Sequence, residues 1–377
     1  MSNKNIPNHL FKALAEREQK GMLRKLTKNF PKIDFCSNDY LGFSKLGLLT
    51  TRIEASSQRS AMYGSTGSRL ISGNSTFIEE AEKQIALFHH ASSALIFNSG
   101  YDANLGLLSS VPQKEDLVLF DELIHASLYD GIKLGNATHY KFKHNNFEAL
   151  KDLIQRHQHN FKNIYIVVES VYSMDGDVAP LLEITELITT LENVFLIVDE
   201  AHAIGVFGNQ GRGLCNALGI EKKCFARIYT YGKAMGCHGA AIAGDEILRD
   251  YLVNFARSFI YTTALPNHSI SAILRAYQLL IETDQKDLLH TNISYFYSKT
   301  NSIKDMIKSQ SAIHSLVVGS NEKADLLEKQ LALKSIYAKA IKSPTVKEGT
   351  ERVRFCMHAF NTKQEIDILI EQLQKNL

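Results

Sequence analysis

Short apolar runs alternate along the middle of the chain with longer segments whose apolar positions recur at helical spacing. Seven runs read as strands: Ala94–Asn98, Leu117–Asp121, Thr138–Phe142, Ile164–Glu169, Val194–Asp199, Arg227–Tyr231 and Ala240–Ala243. IYIVVE and VFLIVD show no polar alternation, which predicts strands buried on both faces, as in parallel sheets. Val167 and Ile197 lie 30 residues apart, about one βαβ unit. The pattern predicts an α/β fold with a large, mostly parallel sheet over residues 46–270. Beyond Pro266 the character changes to a long amphipathic helix over 269–310, a strand at Ser315–Val318, a helix to about Ala338, a strand at Glu351–Phe355 and a closing helix from about Lys363. That outlines a small α+β domain over 271–377. Residues 1–45 form an N-terminal segment expected to pack on one or both domains, with Leu10, Phe11 and Leu14 on one helix face.

Composition narrows the classes of function. The 377 residues include 42 Lys plus Arg and 40 Asp plus Glu, a net charge of +2. That balance gives no electrostatic basis for binding nucleic acid or an anionic membrane. No apolar run reaches the roughly 18–20 residues needed to cross a bilayer. The polar N-terminus lacks the features of a signal peptide, so the expected location is the cytoplasm. Five scattered cysteines without a CxxC pair read as reduced thiols rather than disulfides or a zinc site. His89–His90 and His157/His159 read as helix residues, so no metal is expected.

In open α/β sheets, ligands bind beyond the carboxyl ends of the strands. After ALIFN comes Ser99-Gly100-Tyr101, opening a helix, and after LVLFD comes a segment ending in His125. Ser170 follows IYIVVE; VFLIV runs into Asp199-Glu200-Ala201-His202; Gly232-Lys233-Ala234 follows the next strand. One crevice would then hold an amine, a carboxylate, two imidazoles and a glycine-opened helix. Pyridoxal phosphate uses each of these. Lys forms a Schiff base with its aldehyde, and a carboxylate keeps the pyridine nitrogen protonated. A helix N-terminus receives the phosphate, and an imidazole stacks on the ring or bonds its phenolic oxygen. Taken singly, each residue has a plainer reading: a surface lysine, a turn-capping Asp, partly buried histidines, an ordinary helix start. Their ordering at successive strand ends favours the cofactor. The small residues around Lys233 also allow close backbone approach.

Two motifs point elsewhere and fail. DEAH at 199–202 also occurs in nucleotide-driven helicases, but no GxxxxGK[ST] loop is present. Gly211-Arg212-Gly213 does not continue as a dinucleotide fingerprint.

FCSNDYLG (35–42), GSTGSRLISG (64–73), NSGYDAN (98–104), DELIHASLYDG (121–131), ESVYSMDGDVAPL (169–181), VDEAHAIGVFGNQGRG (198–213), the segment 230–239 and RVRF (352–355) together resemble the α-oxoamine synthases. These are fold-type I pyridoxal-phosphate enzymes that join an amino acid to an acyl thioester with loss of carbon dioxide. The resemblance implies that Lys233 holds the cofactor and moves the Cα proton. Asp199 would pair with the pyridine nitrogen, His125 stack on the ring, and His202 and Ser170 bond the phenolic oxygen. His202 or His125 would polarise the thioester oxygen. The phosphate would sit on Gly100 and Tyr101, helped by Thr230 and by Thr262 from a second subunit. Arg354, or alternatively Arg352, would anchor the amino-acid carboxylate. Asn38 and Ser68, in two of the matching stretches, are further substrate candidates. The sequence departs from the family at Thr66, where glycine is usual, and at His238, where small residues are common.

Compact length, the opening FKALAEREQKGMLRKL, the segment FARSFIYTTALP and the loop GNQGRG favour one member, which condenses L-alanine with a pimeloyl thioester in biotin biosynthesis. Coenzyme A and a carrier protein both remain open as the thiol. Arg24 is a candidate for the acyl carrier or a carboxylate, beside its reading as a solvated helix residue. Members acting on glycine or serine, and a binding relative without chemistry, are the alternatives. The resemblance also implies a homodimer.

Overall fold

The computed structural model describes residues 6–24, 26, 31–49 and 64–375. The chain opens with a helix, Asn8–Gln19, and a two-residue strand, β1 (Ile33–Asp34). The helix does not pack as its apolar face suggests. Leu10, Phe11 and Leu14 stay 46%, 52% and 55% exposed, and among the described residues the side-chain bonds to the body come from the segment after the helix. Lys342 Nζ donates to the Gly21 carbonyl at 2.9 Å, and Arg24 Nη2 to Thr345 Oγ1 at 3.3 Å.

The central sheet contains β2 (Ser93–Phe97), β3 (Leu117–Asp121), β4 (Thr138–Phe142), β5 (Ile164–Glu169), β6 (Val194–Asp199), β7 (Ala226–Thr230) and β8 (Ala240–Gly244). Their spatial order is β2-β8-β7-β6-β5-β3-β4. Strands β3 to β7 run parallel, while β8 is antiparallel to both its neighbours. The reversal has a plain cause. The connection over residues 231–239 is shorter than the dozen or so residues of a parallel crossover, so the chain must turn straight back.

Side chains of the central strands alternate between two cores. Leu117, Leu119, Ile164, Ile166 and Val168 enter one; Val118, Phe120, Tyr165 and Val167 enter the other. Burial on both faces explains the absence of polar alternation in these runs. Helices start on conventional caps: Ser75, Ser99, Asn146, Asp245 and Ser320 each accept a first-turn backbone N–H, worth about 1 kcal/mol apiece.

The long helix expected over 269–310 is two helices, Asn267–Glu282 and Gln285–Thr300. Thr283 breaks it by turning extended, with its N–H and its hydroxyl both bonded to the Leu279 carbonyl. Beyond lie β9 (Ile313–Val317), the helix Asn321–Leu333, β10 (Ile336–Tyr337), β11 (Lys339–Ile341), β12 (Arg352–Cys356) and the helix Lys363–Lys375. Strands β11, β12 and β9 form an antiparallel sheet in that order, and β1 pairs with β10. The N-terminal segment is thereby stitched to the C-terminal part: Cys356 N–H donates to Phe35 O and Ala359 N–H to Tyr40 O, each at 2.8 Å. One core runs from Phe35 through Tyr229 and Phe296 to Phe355. No helix among the described residues is long and apolar enough to cross a membrane.

Candidate active site

The carboxyl ends of the parallel strands open on one crevice, bounded on its far side by β12 and the loop after β11. At its floor the helix Gly100–Ser110 presents its N-terminus. Ser99 Oγ accepts the Asp102 N–H at 3.1 Å, which leaves the Gly100 and Tyr101 N–H groups without an intrahelical acceptor. A Cβ on Gly100 would stand 2.2 Å from Thr230 Oγ1, so glycine is what lets β7 close on the helix start. In this chain Thr262 Oγ1 accepts from Asn98 Nδ2 at 2.9 Å, beside that same start.

Lys233 sits in the short return between β7 and β8. Its Nζ lies 2.8 Å from His202 Nε2, and His202 Nδ1 lies 2.8 Å from the Tyr40 hydroxyl. Tyr40 donates to Asn38 Oδ1 at 3.1 Å, and Arg354 Nη2 donates to the same oxygen. Burial, then the positive charges of Lys233 and Arg354, hold His202 well below the usual imidazole range. The ring is therefore neutral. Its Nε2 accepts from Lys233, and its Nδ1–H donates to Tyr40. Burial also lowers the Lys233 ammonium, against the opposing pull of Asp199 and Glu169.

Asp199 ends β6. Its Oδ1 accepts the Ala201 N–H and its Oδ2 the Asn104 amide, both at 2.9 Å. Asn104 also donates to Ser127 Oγ at 2.9 Å, and that hydroxyl lies 2.7 Å from His125 Nδ1. Burial and the Lys233 charge lower His125. Across the β5–β6 register from Asp199 stands Glu169, raised to about 8 by burial and by the Asp199 charge.

Hydrogen bonds link Lys233, His202, Asn38 and Arg354 through Tyr40, and Asp199 and His125 through Asn104 and Ser127, while Thr230 stands against Gly100. Ser170 is placed differently from the expectation. It is fully buried, and its hydroxyl donates to the Asp199 carbonyl at 3.2 Å, within the sheet. Ser173, three residues on, lines a cavity together with His125, Tyr172 and Arg352. Arg352 is committed to an ion pair with Asp175 and donates to Thr350 O at 2.9 Å. Arg354 is held by Asn38 and the Ser173 carbonyl, on the Lys233 side. Ser68 lies apart, on a loop whose Gly67 carbonyl accepts the Ala264 N–H at 3.0 Å. Within that loop Thr66 has φ 54°, the left-handed region that a β-branched residue tolerates poorly. His238 is exposed.

Sequence reasoning missed Tyr40, Asn104, Glu169 and Ser173. Asn104 was detectable: it lies four residues after Gly100, on the face of the helix that carries the phosphate-facing turn. Tyr40 was not, because its partner His202 is 162 residues away.

The site residues fit pyridoxal phosphate. Asn104 Oδ1 and Glu169 Oε1 are buried without a partner among the described residues. A helix start whose first two N–H groups lack an intrahelical acceptor, a buried carboxylate and a lysine of lowered basicity converge there.

The family profile described as Aminotransferase class I and II matches residues 31–373. The chain belongs to this family and is a pyridoxal-phosphate-dependent transferase. An 8-amino-7-oxononanoate synthase of Emericella nidulans is 40% identical over 400 residues, covering 99% of this chain and 96% of that one. The crystal structure of 8-amino-7-oxononanoate synthase from Francisella tularensis superposes with a TM-score of 0.78 at 31% identity, covering 91% and 97% of the two chains. Within the family, then, the chain groups with the 8-amino-7-oxononanoate synthases, acyl-transferring α-oxoamine synthases. The serine palmitoyltransferase of Sphingomonas wittichii shares the fold at 24% identity, with a TM-score of 0.88 over 98% of this chain and 97% of that one.

Proposed function

We propose that the protein condenses L-alanine with a pimeloyl thioester, releasing carbon dioxide and the free thiol and giving 8-amino-7-oxononanoate. The observation that carries this reading is the unbroken line Lys233–His202–Tyr40–Asn38–Arg354. It fixes a proton-moving amine and a carboxylate-binding guanidinium at set positions across one crevice.

Bound pyridoxal phosphate supplies an electron sink for the carbanion at the alanine Cα. The chain supplies the rest. Gly100 and Tyr101 N–H groups and the Thr230 hydroxyl receive the phosphate. Asp199, anchored by Asn104 and Ala201, keeps its carboxylate aimed at the pyridine nitrogen, and His125 covers the ring. His202 and Ser173 would bond the phenolic oxygen. Arg354 takes the alanine carboxylate in a bidentate grip. Lys233, with its basicity lowered by burial, removes the Cα proton and later returns one.

A cavity that shares His125 and Ser173 with the site is lined by Leu123, Tyr129 and Tyr172, with Thr345 toward Arg24. An apolar acyl chain ending in a carboxylate matches that sequence of surfaces, with Arg24 meeting the distal charge. Coenzyme A or a carrier protein brings the thiol. We place the enzyme in a homodimer, whose second copy meets Thr262 and the exposed face of Asn8–Gln19.

Lys233→Ala is expected to abolish product formation from alanine and pimeloyl-CoA while the melting temperature stays within a few degrees. Wild-type turnover in that variant, or a wild-type rate higher with glycine or serine than with alanine, would overturn the assignment.

A further inference from the structure

The segment KFKHNNFEAL contributes nothing to the chemistry above, yet both ring nitrogens of its histidine are bonded to carboxylates. His144 follows β4. Its Nδ1 lies 2.9 Å from Asp121 Oδ1, at the end of β3, and its Nε2 2.7 Å from Asp177 Oδ2. Both partners are carboxylates, which accept only, so both ring nitrogens must carry hydrogen and the ring is an imidazolium. Asn145, at φ 52°, completes the joint: its N–H donates to Asp121 Oδ2 at 2.8 Å and its amide to Asp177 Oδ2 at 2.6 Å.

Asp177 closes the turn 172–177, where the Tyr172 N–H donates to the Asp177 carbonyl at 2.9 Å. That turn is held on its other side by the C-terminal sheet. Ser315 Oγ donates to Met174 O at 2.6 Å, Ser309 Oγ to Gly176 O at 2.9 Å, and Arg352 pairs with Asp175. In its middle, the Ser173 carbonyl accepts from Arg354 Nη1 at 2.8 Å. The turn is thus a bridge with one abutment at His144 and the other on β9 and β12, and Arg354 hangs from its centre.

We propose that His144 is a positioning residue for amino-acid binding: its doubly bonded ring fixes the 172–177 turn, and through the Ser173 carbonyl the turn aims the Arg354 guanidinium. The inference rests on the reading that Arg354 holds the substrate carboxylate. The groups around the ring are Asp121 from β3, Asp177 from the turn, Tyr172, edge-on at 4.5 Å, and Glu122, whose Oε1 accepts the His144 backbone N–H at 3.2 Å. Burial pulls the imidazolium down, but the two carboxylate partners outweigh it and raise His144 to about 9. The folded value lies above the ordinary one, so the clamp is complete at neutral pH and is lost as pH rises through about 9.

The test measures KM and kcat for alanine in holoenzyme carrying His144→Gln, beside wild type and Arg354→Lys, from pH 7 to 9.5. Arg354→Lys should raise KM. At pH 7 His144→Gln should raise KM about tenfold, the scale of one misplaced charge-assisted hydrogen bond, with kcat within about twofold. The ratio of variant to wild-type KM should fall toward one above pH 9, because the wild type then loses the same clamp. Ionisation of alanine cancels in that ratio. A variant that melts lower with unchanged KM, or a KM ratio that does not move with pH, overturns the inference. If Arg354→Lys raises KM and His144→Gln does not, only the positioning role fails; if neither does, the carboxylate reading fails with it. Should His144→Gln not fold, Asp177→Asn, which keeps the bond to Asp121, is read by the same criteria.

Discussion

Tyr40 shows how one hydroxyl can order a site. It is fully buried, accepts from His202 and donates to Asn38. That fixes the neutral tautomer in which His202 Nε2 faces Lys233. Tyr40→Phe would strand a buried imidazole N–H, at a cost of about 1–3 kcal/mol in stability, and would free the ring to turn from Lys233. Turnover is expected to fall about tenfold with one pyridoxal phosphate still bound per chain, measured by rate and cofactor stoichiometry. Unchanged turnover would remove Tyr40 from the line. At this scale the sequence displayed the reacting groups and hid their supports. Lys233, Asp199, His125 and His202 stand at strand ends, where position alone suggests chemistry. Ser170 looked equally well placed, but strand direction turned its hydroxyl back onto the Asp199 carbonyl. Which way a side chain leaves the end of a strand depends on register, which no local pattern prints.

Elements were legible where burial imposes a period. The expected bounds of β3, β5 and β6 coincide with the observed strands, because apolar runs of that length have few other solutions, and those of β4 coincide although four of its five residues are exposed. The break at Thr283 was missed because helical periodicity continues through it. The pairing of β1 with β10 was missed because two residues carry no period. On the proposed reading the helix Gly100–Ser110 receives the cofactor's phosphate. Gly100→Ala would drive a methyl into Thr230 Oγ1, 2.2 Å from the ideal Cβ, and push the helix start off β7. Cofactor affinity is expected to drop at least tenfold, with a melting temperature near wild type when saturated. Titration of apoenzyme with pyridoxal phosphate checks this; unchanged affinity would mean that the phosphate sits elsewhere.

At the scale of the molecule, the site exists only because distant segments meet. Arg354 reaches Ser173 across 181 residues of sequence, and Phe35 bonds Cys356 across the whole fold. The N-terminal segment, the central sheet and the C-terminal sheet share a core, so the amine on one and the guanidinium on another keep a fixed separation. On the proposed reading, that separation lets Arg354 hold one end of the substrate while Lys233 works at the neighbouring carbon. Titrating the holoenzyme with alanine, glycine and serine, and following the cofactor's visible absorption, tests it most directly. Saturable change is expected with alanine at concentrations at least tenfold lower than with glycine or serine, and that response should be lost in Arg354→Lys. A spectrum indifferent to alanine, or an equal response in the variant, would contradict it.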